Sequence, residues 1–128
     1  IRNGRTYCRH LLRSHPLRGA IFESWVVSEI VKHRTNHGLS GALSFYRDRD
    51  GVEGDLLIEH ADRLTVVEAK AAQTANQSLF DGAAKLRERL AGTRPVESFV
   101  AYGGAAEQTR STSTLVPWAA LHEHRWHE

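Results

Sequence analysis

The chain has 128 residues, 41% hydrophobic and 25% charged, with a formal net charge of +2 at pH 7. That is enough for one compact domain with its own core and too little for two. No apolar run approaches membrane-spanning length, no leader precedes a small-residue cleavage site, and the lone Cys8 cannot form an internal disulfide, so the expected setting is a reducing cytoplasm without a membrane.

Methionine is absent even at position 1, which points to a piece of a longer protein. Arg2, Arg5, Arg9, Arg13 and Arg18 all precede the first acid, Glu23. Residues 1–16 therefore read as a basic arm, able to meet phosphates or simply to stay solvated. Leu11 and Leu12 suit a short helix there, ended by Pro16.

A long helix is expected over residues 19–37, stopped by Gly38. Phe22, Val26 and Ile30 make one apolar line, and Glu23, Val27 and Val31 the line beside it. Glu23 thus stands inside the apolar stripe, where a carboxylate needs a specific partner. A strand follows at Leu43–Arg47. Asp50-Gly51 signals a hairpin into a strand around Asp55 to Glu59, and Ala61-Asp62-Arg63 turns the chain into a strand from Thr65 to Lys70. A second helix is expected at Gln77–Leu90. Strands are then expected at residues 98–102 and 112–116, separated by a polar, Gly-rich loop over residues 103–110. The tail, residues 118–128, reads as one helical turn and a frayed end.

The expected fold is a single α/β domain (core 19–117): a mixed sheet with a three-strand antiparallel meander, a crossover helix and two further strands, packed by helices. The crossover should set its following strand parallel to a member of the meander.

Three acids and a lysine fall on adjacent elements of this fold. Glu23 lies on the helix, Asp55 on one strand, and Glu68 and Lys70 on one face of the next. Carboxylate oxygens suit Mg²⁺ or Mn²⁺, and a lysine beside them can orient a water or stabilise charge on a phosphodiester. In such a site Asp55 and Glu68 would be the main ligands, joined by the Ala69 carbonyl, with Glu23 auxiliary. The same four side chains could instead form a buried ion-pair cluster that fixes helix to sheet.

The Asp, spacer, Glu-x-Lys arrangement, preceded by a helix-borne Glu, resembles the PD-(D/E)xK nuclease superfamily and its restriction-endonuclease-like fold. Gly54 stands where that pattern has a proline. Gly19-x-x-Phe22-Glu23-x-x-Val26-x-x-Glu29-Ile30, Val52-Glu53-Gly54-Asp55-Leu56-Leu57-Ile58-Glu59 and Val66-Val67-Glu68-Ala69-Lys70 are more closely similar to the uncharacterised C-terminal domain that follows an AAA-type P-loop ATPase in prokaryotes. That resemblance implies an upstream ATPase as partner, nucleic acid as a partner of a nuclease-like domain, and self-association as in the superfamily's frequent dimers. No Gly-x-x-x-x-Gly-Lys-Ser/Thr loop is present, so this chain alone should not hydrolyse ATP. Two classes stay open: a Mg²⁺-dependent phosphodiester hydrolase, or an inactive interaction or regulatory module of the ATPase.

Other features read more simply. His33 and His37 are one helical turn apart, without an evident third ligand, and suit a surface pair. His122, His124 and His127 fall on the frayed tail. Trp25 and Trp118 read as packing residues. Gln73, just past Lys70, reads as solvated. Cys8 has no histidine partner for thiol catalysis, and the Gly103-Gly104 loop lacks the context of a phosphate cradle.

Overall fold

In the computed structural model, residues 17–92, 94–110 and 113–128 are described. The basic arm, Cys8 and the short helix expected at Leu11 and Leu12 lie outside them.

Helix α1 (Arg18–Asn36) buries Phe22, Val26 and Ile30, the line spaced by one helical turn. Arg34 continues that line and is buried too, its Nη1 donating to the Trp126 carbonyl at 2.7 Å. The helix ends in a paired-bond cap. The Gly38 N–H donates to the Thr35 carbonyl at 2.9 Å and the Leu39 N–H to that of Arg34 at 3.0 Å. Gly38 sits at φ +77°, a left-handed conformation that a side chain would strain.

Strands β1 (Leu43–Arg47), β2 (Glu53–Glu59) and β3 (Leu64–Lys70) form the expected antiparallel meander. In the β1–β2 turn, Asp48 Oδ1 accepts the N–H groups of Asp50 and Val52 at 2.9 and 3.0 Å, and Gly51 takes φ +82°. Helix α2 (Gln77–Leu90) then crosses to β4 (Val96–Tyr102), which is parallel to β3. Strand β5 (Gln108–Arg110) runs antiparallel to β6 (Ser113–Pro117), and β6 lies parallel to β4. The result is a six-stranded mixed sheet in the order β1-β2-β3-β4-β6-β5.

Two expectations are corrected here. The loop expected over residues 103–110 contains β5, so three strands follow α2 instead of two. Gln108, Thr109 and Arg110 are all exposed and carry no apolar alternation, so main-chain pairing with β6 defines this edge strand. The tail is not frayed either. A 3₁₀ helix (Trp118–Glu123) leads to Trp126, which is buried and donates its indole N–H to the Leu121 carbonyl at 2.8 Å.

Strand alternation sorts the core onto the two faces of the sheet. Leu56, Ile58, Val67 and Ala69 pack with α1, Leu121 and Trp126. Leu57, Val66 and Val96 pack against Leu86 of α2, and Val100, Tyr102 and Leu115 against Leu79, Phe80 and Ala83. Each large aliphatic side chain buried this way contributes about 1.5–3 kcal/mol. The sheet is thereby clamped between helices on both sides, and its β2–β3 end lies between α1 and α2. Among the described residues, no helix is long and apolar enough to cross a membrane.

Candidate active site

The β1–β2 ladder is irregular where the acids lie. Ser44 pairs with Leu57 and Tyr46 with Gly54, so two steps along β1 face three along β2. A bulge of this kind bends the strand and re-aims a side chain. Asp55, inside it, lines a cavity of about 510 Å³ between α1 and the β1–β2 hairpin, together with Glu23, Tyr46, Arg47 and Glu53. Its Oδ2 accepts the Ala69 N–H at 2.6 Å, just beyond Leu56↔Val67, the last described β2–β3 pair at that end. The carboxylate thus holds an amide that the parting ladder leaves free.

Position 54 has little room for a side chain. A Cβ at position 54 would stand 3.0 Å from Leu86 Cδ2 and 3.1 Å from Leu57 Cδ1, closer than side chains ordinarily pack. The bare backbone lets α2 seat on the bulge.

Glu23 is exposed rather than buried in the stripe. It faces the cavity because its line on the helix, with Val27 and Val31, overlooks the hairpin and not the sheet centre. Its carboxyl is pushed above the ordinary range, first by partial desolvation, then by the charge and hydrogen bond of Asp55 and by the charge of Glu53, with Arg47 opposing. Arg47 pairs with Glu53 at 3.1 Å.

Glu68 is placed differently. Val67 and Ala69 face α1, so Glu68 between them faces α2, on the side of Val66. It is 5% exposed, and its Oε2 has no hydrogen-bond partner. Gly82 of α2 lies against it: a Cβ there would stand 3.5 Å from Oε2 and 3.9 Å from Oε1. Burial pushes the carboxyl up to about 7, the charges of Asp55 and Glu53 add to this, and the Lys70 ammonium opposes it. Lys70 shares that face and is exposed.

The four residues singled out by their spacing therefore form two adjoining halves. Asp55 joins Glu23 and the Ala69 amide on the α1 side, while Glu68 and Lys70 lie on the α2 side. The donor set consists of hard oxygens and includes one orphaned, buried acceptor, which suits a divalent cation in chemical type. Three carboxylates within 4.8 Å of one another do not occur among the described residues, so the ligands are not gathered.

Glu53, Arg47 and Gly82 were not singled out by the sequence reading. Gly82 had a readable signal, a lone glycine inside a strongly periodic helix. Glu53 and Arg47 had none, because the bulge decides which way β2 residues point. Elsewhere, Trp25 and Trp118 pack edge-to-face at 5.8 Å, as packing residues should. Gln73 is exposed. His127 lies against His33 and His37, whereas the sequence reading kept the pair and the tail apart.

Fold and site together define a three-layer α/β domain that carries Asp55 and Glu23 on the α1 side of a bulged strand end and Glu68 on the α2 side. The family model described as a domain of unknown function, DUF4143, matches residues 18–121, and the chain belongs to that family. No curated protein matches it.

Proposed function

We propose that this is a nuclease-like domain of the restriction-endonuclease type, which hydrolyses phosphodiesters of nucleic acid with Mg²⁺ or Mn²⁺ and is joined to an upstream P-loop ATPase. The observation that carries this reading is the Glu68 carboxyl, buried with an unpartnered oxygen and held near 7. A buried ionisable group left uncompensated is costly, and a cation is the natural compensation. The meander, the helical crossover to a parallel strand and the helix-borne Glu23 support the same reading.

In it Asp55 and Glu68 are the ligands, with the Ala69 carbonyl beside them. Glu23 assists, either directly or through a water. A bound divalent ion supplies phosphate neutralisation and polarises water. Lys70, exposed at the strand end, orients the attacking water and stabilises charge on the phosphate. Asp55 already fixes the backbone at Ala69, so the two strand ends are held in register around the site.

The second reading is an inactive interaction or regulatory module of the ATPase. It is favoured by Asp55 serving as a structural acceptor and by Glu68 being tucked under α2. Cleavage of supercoiled DNA, single-stranded DNA and RNA with Mg²⁺ or Mn²⁺ separates the two. The nuclease reading expects activity that vanishes in Lys70→Ala while metal binding survives, and loss of metal binding in Asp55→Ala and Glu68→Ala. A parent that shows neither cleavage nor metal-dependent stabilisation rejects the nuclease reading and favours the module.

A further inference from the structure

We propose that His33, His37 and His127 form a three-imidazole site for a divalent transition ion of the zinc class, which ties the tail of the chain to α1. One ligand atom from each histidine lies within 4.8 Å of those of the other two. His33 and His37 are one turn apart and stacked, with centroids at 4.5 Å. His127 arrives from 90 residues further along the chain (127 − 37) and stacks on His37 at 3.8 Å, with 5° between the rings. Three imidazoles are the ligand set zinc accepts when its fourth position is left to water.

Two features prepare these rings for a metal. The His37 Nδ1 lies 2.8 Å from the His33 carbonyl. A carbonyl only accepts, so in the neutral ring Nδ1 carries the proton and Nε2 keeps its lone pair. Backbone hydrogen bonds of this kind orient metal-binding histidines. The backbone beside His127 is also fixed. The Trp126 carbonyl accepts from Arg34, the Trp126 indole is bound to Leu121, and an Arg63 N–H donates to the Glu128 carbonyl. The third ligand is thus delivered by an anchored segment.

His33 Nε2 and His127 Nδ1 are 2.8 Å apart, one donating to the other. Tetrahedral zinc with bonds of about 2.0–2.1 Å sets its nitrogens about 3.3 Å apart. Insertion therefore needs these two to part by roughly half an ångström, with the shared proton moving to the other nitrogen of its ring, while the wider pairs draw inward. Side-chain rotations cover both changes. Glu23 and His33 are ten residues apart on α1, about 15 Å at the helical rise, so this site is separate from the acidic one.

Titration of the untagged chain with ZnCl₂ by calorimetry tests the proposal, with thermal unfolding alongside. One ion per chain is expected, together with a higher midpoint of unfolding. His33→Ala, His37→Ala and His127→Ala should each weaken binding at least about tenfold, and His122→Ala should not. Circular dichroism in chelator confirms that each variant is folded. If α1 does not tolerate His33→Ala, His127→Ala reads the same outcome from outside the helix. A parent that does not bind Zn²⁺ overturns the proposal. So do folded variants that bind like the parent, or an equal loss in His122→Ala, which would mean loose chelation by the tail.

Discussion

The Glu68 carboxyl lies directly beneath Gly82, its Oε2 3.5 Å from where a Cβ on that glycine would stand. A glycine inside an exposed helix costs about 1 kcal/mol relative to alanine. Here it leaves the space above the buried acid without a side chain. Geometry alone would admit an alanine, since 3.5 Å is an ordinary contact.

Gly82→Ala therefore separates helix propensity from the acid's solvation. At pH 5, with Glu68 protonated, the variant should be more stable by about 0.5–1 kcal/mol. At pH 8 the added methyl shields the ionised carboxylate further, and the gain should shrink or reverse. Urea unfolding at the two pH values reads the difference.

Glu68 itself should make the fold lose stability as pH rises. Its folded value is about 7 against 4.5 for the free group. Between those values the native state holds a proton that the unfolded chain has released, so stability falls across pH 4.5–7 and stays low above it. The full span corresponds to roughly 3 kcal/mol, from about 1.4 kcal/mol per unit. Glu68→Gln removes this dependence. It should match the parent near pH 4 and exceed it by about 1–3 kcal/mol at pH 8, measured by urea unfolding.

Asp55 is a backbone acceptor as well as a candidate ligand. Asp55→Ala strands the Ala69 N–H and should cost about 1–3 kcal/mol. Asp55→Asn keeps an oxygen for that N–H and relieves the repulsion on Glu23, so it should cost little. Chemical denaturation of the two variants side by side tests the pairing; equal losses would contradict it.

Arg34 holds the tail in place. Its guanidinium is buried, one N–H reaches the Trp126 carbonyl at 2.7 Å, and Nε has no partner. Arg34→Ala should destabilise by about 2–4 kcal/mol through lost packing and an unpaired carbonyl. It should also loosen Trp126, visible as a weakened near-ultraviolet signal, and lower Zn²⁺ affinity with all three histidines still present.

Much of the fold was legible from periodicity and punctuation. Phe22, Val26 and Ile30 announced the core face of α1, Gly38 its end, and Asp50-Gly51 the hairpin. β5 was illegible because Gln108, Thr109 and Arg110 are all polar and exposed, and pairing with β6 rather than an apolar pattern makes them a strand. Trp126 looked like part of a frayed tail because its partners, Phe99 and the buried Arg34, are distant in sequence. For the candidate site, spacing singled out Asp55, Glu68, Lys70 and Glu23, and their division between the two sides of the sheet was not legible. Strand alternation predicts the face of Glu68. It fails for Asp55, because one extra residue in β2 re-aims that side chain, and nothing in Glu53-Gly54-Asp55 marks the bulge beyond the glycine.

Asp55 and Glu68 are proposed above to form a divalent-cation site. Its most direct test is calorimetric titration of Mn²⁺ at pH 8 in a His127→Ala background, which removes the imidazole site, with and without Glu68→Gln. Binding is expected in the background protein and should weaken at least about tenfold when Glu68 is neutralised, with Mn²⁺ raising the unfolding midpoint only where it binds. Equal affinity in the two proteins, or no binding in either, would contradict it.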